Sequence, residues 1–232
     1  MKVIRTPGRG LGQRLVFEES EFDTIGLQAL RSANLLSGTP GPVRIDRFVE
    51  SQFGVTIDYQ DLGEGILGAT TFRKDGSIQG ITVSDHLAAA TASLLFRSTV
   101  AHEAGHGLLH PILFMEDGFQ ADFRLDNADP KRRRILCRSR DINPGQRHGY
   151  DGRWWEYQAN RMIGSLLLPR ALVIAAAAPF LGHHAVTQSP FIKDVDRLAA
   201  SKTLAAIFEV SSSCMDIRLD DIFPRLGGQQ EF

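Results

Sequence analysis

Apolar positions recur at helical spacing over residues 22–36, where Phe22, Ile25, Leu27, Leu30 and Ala33 carry the pattern and the run SGTPGP at 37–42 breaks it. A second short helix carries Val43, Phe48, Val49 and Phe53 and stops at Gly54. The pattern then switches to strand character over 55–59, 66–72 and 78–83. Asp75-Gly76 supplies a hairpin turn between the last two, which predicts a small antiparallel sheet. A long helix follows over about 90–110, free of Gly and Pro until Gly105 and Gly107 and ended by Pro111. Residues 114–152 are charged and without period, a long loop of the kind that is either functional or disordered. Helical pattern returns at 154–168, resumes after Pro169, and recurs at 192–210 and 212–222. Helices, then a small sheet, then helices is the order of an α+β fold.

The chain has 232 residues, 43% of them hydrophobic, enough for one large domain with a core of its own. The first 20 residues are rich in Gly and Arg and aperiodic, so 1–20 reads as a flexible arm, 21–185 as the main domain and 186–232 as a C-terminal helical extension. Cys137 and Cys214 lie outside any CxxC pattern and read as free thiols of a reducing cytosol. The N-terminus has basic residues with no apolar run behind them, so no secretory signal is expected, and the location read from these features is cytoplasmic. The most apolar stretch, 163–181, is interrupted by Pro169 and Arg170 and reads as buried helix rather than a membrane span. A net charge of −1 argues against a dedicated nucleic-acid binder. Six basic residues are nevertheless concentrated at 131–140, where a solvated charged loop competes with a binding surface for nucleic acid or an acidic substrate segment.

The chemistry is concentrated in His102-Glu103-Ala104-Gly105-His106, an HExxH sequence inside the long helix. Four residues turn a helix by about 400°, so His102 and His106 project from one face and can hold one zinc ion. Glu103 stands beside them, where a general base for a zinc-activated water is needed. The flanking Val100, Ala101, Leu108 and Leu109 make this a buried helix, in which two unpartnered imidazoles would be costly. A third protein ligand is required. Glu156 can supply it from the helix at 154–168, with Asn160 one turn later hydrogen-bonding a histidine; a solvated carboxylate at the helix start is the other reading, with Glu116, Asp117 or Asp122 as substitute ligands. His110, one turn past His106, and His148 and Tyr150 in the loop before the second helix are candidate substrate or oxyanion contacts. His183 and His184 receive no role.

TVAHEAGHGLLH followed by WWEYQANRMIGSLLLP resembles the ImmA/IrrE family of zinc metallopeptidases, whose members pair an HExGHxLLH helix with a later ExxAN helix ending in LLxP. GILGATTF and GITVSD are similar to that family's small sheet, and LAAIFEVSSSCMDIRL to its C-terminal helices. The chain departs from the pattern at RSTV (97–100), at Met162-Ile163-Gly164 and in the length of the 114–152 segment, none of which touches a ligand. The resemblance implies a zincin-like metallopeptidase domain, zinc on His102, His106 and Glu156, and catalysis by Glu103. It also implies, as substrate, a separate helix-turn-helix transcriptional repressor whose cleavage relieves repression in a mobile-element or stress programme. The competing function is a transcriptional regulatory or protein-docking module that keeps zinc for structure alone. Asp216, Asp220 and Asp221 on its would-be recognition helix would repel phosphates.

Overall fold

A computed structural model describes residues 2–4, 14–90, 94–115, 128–129, 133–142, 153–183 and 189–225. Two short strands, β1 (Lys2–Ile4) and β2 (Arg14–Val16), form an antiparallel pair, followed by helices α1 (Glu19–Ser32) and α2 (Ile45–Phe53). Strands β3 (Ile57–Gln60), β4 (Ile66–Phe72) and β5 (Ile78–Ser84) lead into helix α3 (Leu94–Leu109). Strands β6 (Ala128–Asp129) and β7 (Arg134–Arg138) and the single turn α4 (Ser139–Ile142) precede α5 (Trp154–Leu167) and α6 (Arg170–Ala177). A second small pair, β8 (Leu181–His183) and β9 (Pro190–Ile192), and helices α7 (Asp194–Phe208) and α8 (Ser212–Ile222) complete an α+β fold.

The main sheet runs in the order β3-β5-β4-β7-β6 among the described residues. It is mixed, not wholly antiparallel as expected: β3 lies parallel to β5, with Ile57 opposite Ile81. The chain leaves β3 through Gly63 and Gly65, both at positive φ, and enters β4 two strand positions away; the β4–β5 hairpin then returns to fill the gap between them. A turn at Asp75-Gly76 specifies the hairpin locally, whereas the orientation of β3 depends on where the sheet leaves room.

The 114–152 segment is not loop throughout. Arg134, Leu136 and Arg138 alternate with buried Ile135 and Cys137, the period-2 pattern of a half-buried strand, and β7 pairs with β4. Five residues bounded by a basic run carry too short an alternation to stand out against the charge. The run at 131–140 is thus partly sheet, with Lys131, Arg132 and the side chain of Arg140 outside the described residues. At the other end of the chain, the presumed arm reaches the core: Leu15 is 1% exposed and α1 begins at Glu19. An isolated apolar residue among glycines and arginines has no periodic neighbours to announce it.

Helix α3 lies on one face of this sheet and packs most extensively against α5. From Phe96 to Leu109 all its residues except Leu108 are buried, so it is a central helix enclosed on every side rather than an amphipathic one. Gly105 permits the close approach of α5: a Cβ there would stand 2.8 Å from that of Met162 and 3.1 Å from the Ala159 carbonyl. The C-terminal helices join the same core, with Phe208, Met215 and Leu219 clustered with Phe48 and Leu166. Arg218 ties α8 back, donating to the Leu168 carbonyl at 3.0 Å and to Asp23 at 2.5 Å. No single helix among the described residues is long and apolar enough to cross a membrane; α5 and the 170–180 segment pass that test only as a pair bent by 56°.

Candidate metal centre

The close α3–α5 contact brings four side chains of the two helices to one point. His102, Glu103 and His106 are 0% exposed and Glu156 4%. His102 Nε2 lies 3.1 Å from His106 Nε2 and 3.1 Å from Glu156 Oε2, and His106 Nε2 lies 3.7 Å from the same oxygen. A tetrahedral ion with bonds of about 2.0–2.1 Å holds its ligand atoms about 3.3 Å apart. The three atoms therefore fit one metal ion with little adjustment. The donor set, two imidazoles and a carboxylate, is one that divalent transition-metal ions such as zinc or iron accept. Charge makes the same demand, because Glu156 is buried and its only ion-pair partners among the described residues are these two histidines.

Asn160 is placed to fix one of the ligands. Its Nδ2 donates to the Asp141 carbonyl at 2.6 Å, which leaves Oδ1 facing His102 Nδ1 at 2.9 Å. An amide oxygen only accepts, so His102 carries hydrogen on Nδ1 and directs Nε2 toward Glu156. Asp141 is itself held by the Arg153 guanidinium at 2.7 Å and the Arg138 amide at 2.8 Å. Neither Asp141 nor its role was legible, since it lies in an aperiodic segment and acts through its backbone oxygen.

The titration behaviour of the cluster follows from burial and pairing. Burial disfavours charge on His102, but hydrogen bonding to Glu156 and its negative charge outweigh that and raise the imidazole pKa. Burial alone would raise Glu156; hydrogen bonds from both histidines hold it far below the usual carboxylate range. His106 is lowered, chiefly by burial.

Glu103 occupies different surroundings. Burial, reinforced by the charge of Glu156, pushes its carboxyl up to about 8 against the opposing effects of His102 and Thr70. Thr70 Oγ1 on β4 lies 2.6 Å from Glu103 Oε2 and 3.0 Å from the Glu103 carbonyl oxygen. The Thr70 hydroxyl donates to both oxygens, sharing its proton between the carboxylate and the carbonyl, with the shorter contact to the carboxylate. Glu103 Oε1 is buried without a hydrogen-bond partner among the described residues, as is Glu156 Oε1. Such orphaned oxygens mark a place where a ligand or water belongs.

Gly68 makes room for that carboxylate, since a Cβ at this position would stand 2.7 Å from Glu103 Oε1 and 2.8 Å from Thr99 Cγ2. Gly68→Ala should displace the Glu103 carboxylate rather than the backbone, because the carboxylate is the mobile neighbour. On the reading of Glu103 as a general base proposed below, the expected result is metal content unchanged and turnover lower by about 10²-fold, the scale of a 1 Å misplacement. Full turnover in this variant would show that the position of Glu103 is not critical. Opposite Gly68 on β7 sits Cys137, whose Sγ lies within 4.8 Å of ligand atoms of His102 and Glu103. Burial holds its thiol well above the ordinary value. Both cysteines are unpaired.

His110 also belongs to the cluster, its Nδ1 3.0 Å from His106 Nδ1. His148, Tyr150, Glu116, Asp117, Asp122 and His184 lie outside the described residues, and His183 is exposed on β8, whereas the cluster is buried. Thr70, Gly68, Cys137 and Gln158, whose Oε1 lies 3.1 Å from His110 Nε2, are the participants that sequence reasoning missed. Each sits on a strand or helix whose partner is distant in the chain, and no spacing rule connects them to HExxH. Neither a scan against protein-family models nor a search of curated proteins finds a match for this chain.

Proposed function

We propose that this protein is a zinc-dependent endopeptidase with His102, His106 and Glu156 as the metal ligands and Glu103 as the catalytic acid and base. The observation that carries the proposal is the convergence of three ligand atoms at 3.1–3.7 Å beside a buried carboxylate oxygen that has no hydrogen-bond partner among the described residues. When bound, zinc would supply Lewis-acid activation of a water molecule and of the scissile carbonyl. Glu103 accepts the proton of the attacking water at Oε1 and returns it to the leaving amine. Thr70 steadies the other carboxylate oxygen throughout, and Asn160 keeps the His102 ring in register.

The motif resemblance to the ImmA/IrrE metallopeptidases supports the same reading and suggests a cytoplasmic enzyme whose substrate is a helix-turn-helix transcriptional repressor. The alternative of a DNA-docking module is less well supported. Helix α8 buries Met215, Leu219 and Ile222, while Asp220 and Asp221 are engaged by Arg197 and Arg161. That face has neither free cations nor freedom to enter a groove.

The test is incubation of the zinc-loaded protein with purified helix-turn-helix repressors of the same genome, beginning with any encoded by a neighbouring gene, and mass spectrometry of the products. Cleavage at a discrete site, abolished by a chelator and restored by zinc, is expected. Absence of fragments from every repressor, or fragments indifferent to the chelator, would overturn the proposal.

A further inference from the structure

Beyond the three ligands, a chain of hydrogen bonds runs from His106 to the N-terminal strand pair. His106 Nδ1 lies 3.0 Å from His110 Nδ1, and His110 Nε2 lies 3.1 Å from Gln158 Oε1. Gln158 Nε2 in turn donates to the Leu15 carbonyl on β2 at 2.8 Å. Every member is buried, with Gln158 3% exposed and both histidines 0%.

Read from its outer end, the chain permits one arrangement of protons. A carbonyl only accepts, so the Gln158 amide turns its nitrogen to Leu15 and its oxygen to His110. That oxygen also only accepts, so His110 carries hydrogen on Nε2. His110 is enclosed, edge-on to the Trp154 ring at 5.7 Å, and hydrogen-bonds to no carboxylate among the described residues. An enclosed imidazole with no carboxylate to pair it is neutral, because an unpaired charge there would be costly. A neutral imidazole with hydrogen on Nε2 has its lone pair on Nδ1, which accepts from His106 Nδ1. His106 is left with its lone pair on Nε2, the atom that faces His102 and Glu156.

We propose that Gln158 and the Leu15 carbonyl position the metal centre by setting the tautomer of His106 through His110, so that strand β2 is a working part of the site. The two ligand histidines would then be aligned by separate devices. Asn160 and the Asp141 carbonyl serve His102; His110, Gln158 and the Leu15 carbonyl serve His106. Both end on a backbone oxygen, an acceptor whose polarity cannot be inverted. The consequence for metal affinity rests on the zinc reading above; the tautomers do not.

The experiment combines long-range 15N-correlated NMR of the histidine rings with zinc affinity measured by chelator competition. The wild type should show His110 with hydrogen on Nε2 and His106 with hydrogen on Nδ1. Gln158→Met, which keeps the volume and removes both polar groups, should mix the His110 tautomers and weaken zinc binding about 10–100-fold, the usual effect of losing a group that orients a ligand. Gln158→Glu, which keeps an acceptor for His110, should recover most of that affinity. Unchanged affinity and unchanged ring signals in Gln158→Met, or the opposite tautomers in the wild type, would overturn the proposal. A wild type that binds no zinc would instead defeat the metal reading, leaving the chain to be judged by its tautomer signals.

Discussion

Glu156→Ala should abolish stoichiometric zinc binding and with it the stabilisation that zinc confers. Two imidazoles on one helix remain after this change, but the third ligand and the only negative charge within the ligand set are gone. In the wild type, free zinc at 100 times its dissociation constant should add about 2.7 kcal/mol to folding stability. For a chain of this size each kcal/mol moves the melting temperature by roughly 2–4 °C, so a rise of about 5–10 °C is expected. Thermal unfolding with and without zinc, together with metal content by mass spectrometry, measures both effects. If the variant keeps full zinc occupancy and the full shift, Glu156 is not the third ligand, and Glu116, Asp117 and Asp122 become the residues to replace.

Glu103→Gln should leave zinc bound and reduce peptide hydrolysis by about 10²–10⁴-fold, the usual contribution of a general acid–base residue. Glutamine matches glutamate in shape and can keep the contact with Thr70, which lies 2.6 Å from Oε2 in the wild type. What it lacks is the ability to take up and return a proton. Metal content and melting temperature should therefore stay near those of the wild type while cleavage is lost, and this separation excludes a merely structural role for Glu103. The same variant discriminates between an enzyme and a regulatory module with structural zinc. Equal relief of repression by the wild type and Glu103→Gln in cells would show that regulation does not depend on hydrolysis.

Local chemistry was enough to announce part of this molecule. The helices at 19–32, 45–53, 154–167 and 212–222 carry their apolar residues at helical spacing, and Gly54 ends the second in the left-handed conformation expected of a terminal glycine. HExxH and ExxAN are spacings within single helices, so they survive in any fold that keeps those helices. What local spacing could not convey was the parallel orientation of β3, the strand hidden in the basic run, or the buried end of the N-terminal segment. In each case the partner is remote: Arg134–Arg138 becomes a strand because β4 presents an open edge, and Leu15 joins the core with its carbonyl held by Gln158 of α5.

The site divides along the same line. Residue types and helical periodicity were sufficient to pick out the groups chemically able to hold a metal and to place His102 and His106 on one helix face and Glu156 and Asn160 on another. Only the tertiary structure decided that the two faces meet, through the close approach that Gly105 allows. It decided too that Thr70, Gly68 and Gln158 surround them. The physical reason is that periodicity is a property of one element, whereas hydrogen-bond polarity, burial and ligand separation arise only between elements that packing brings together.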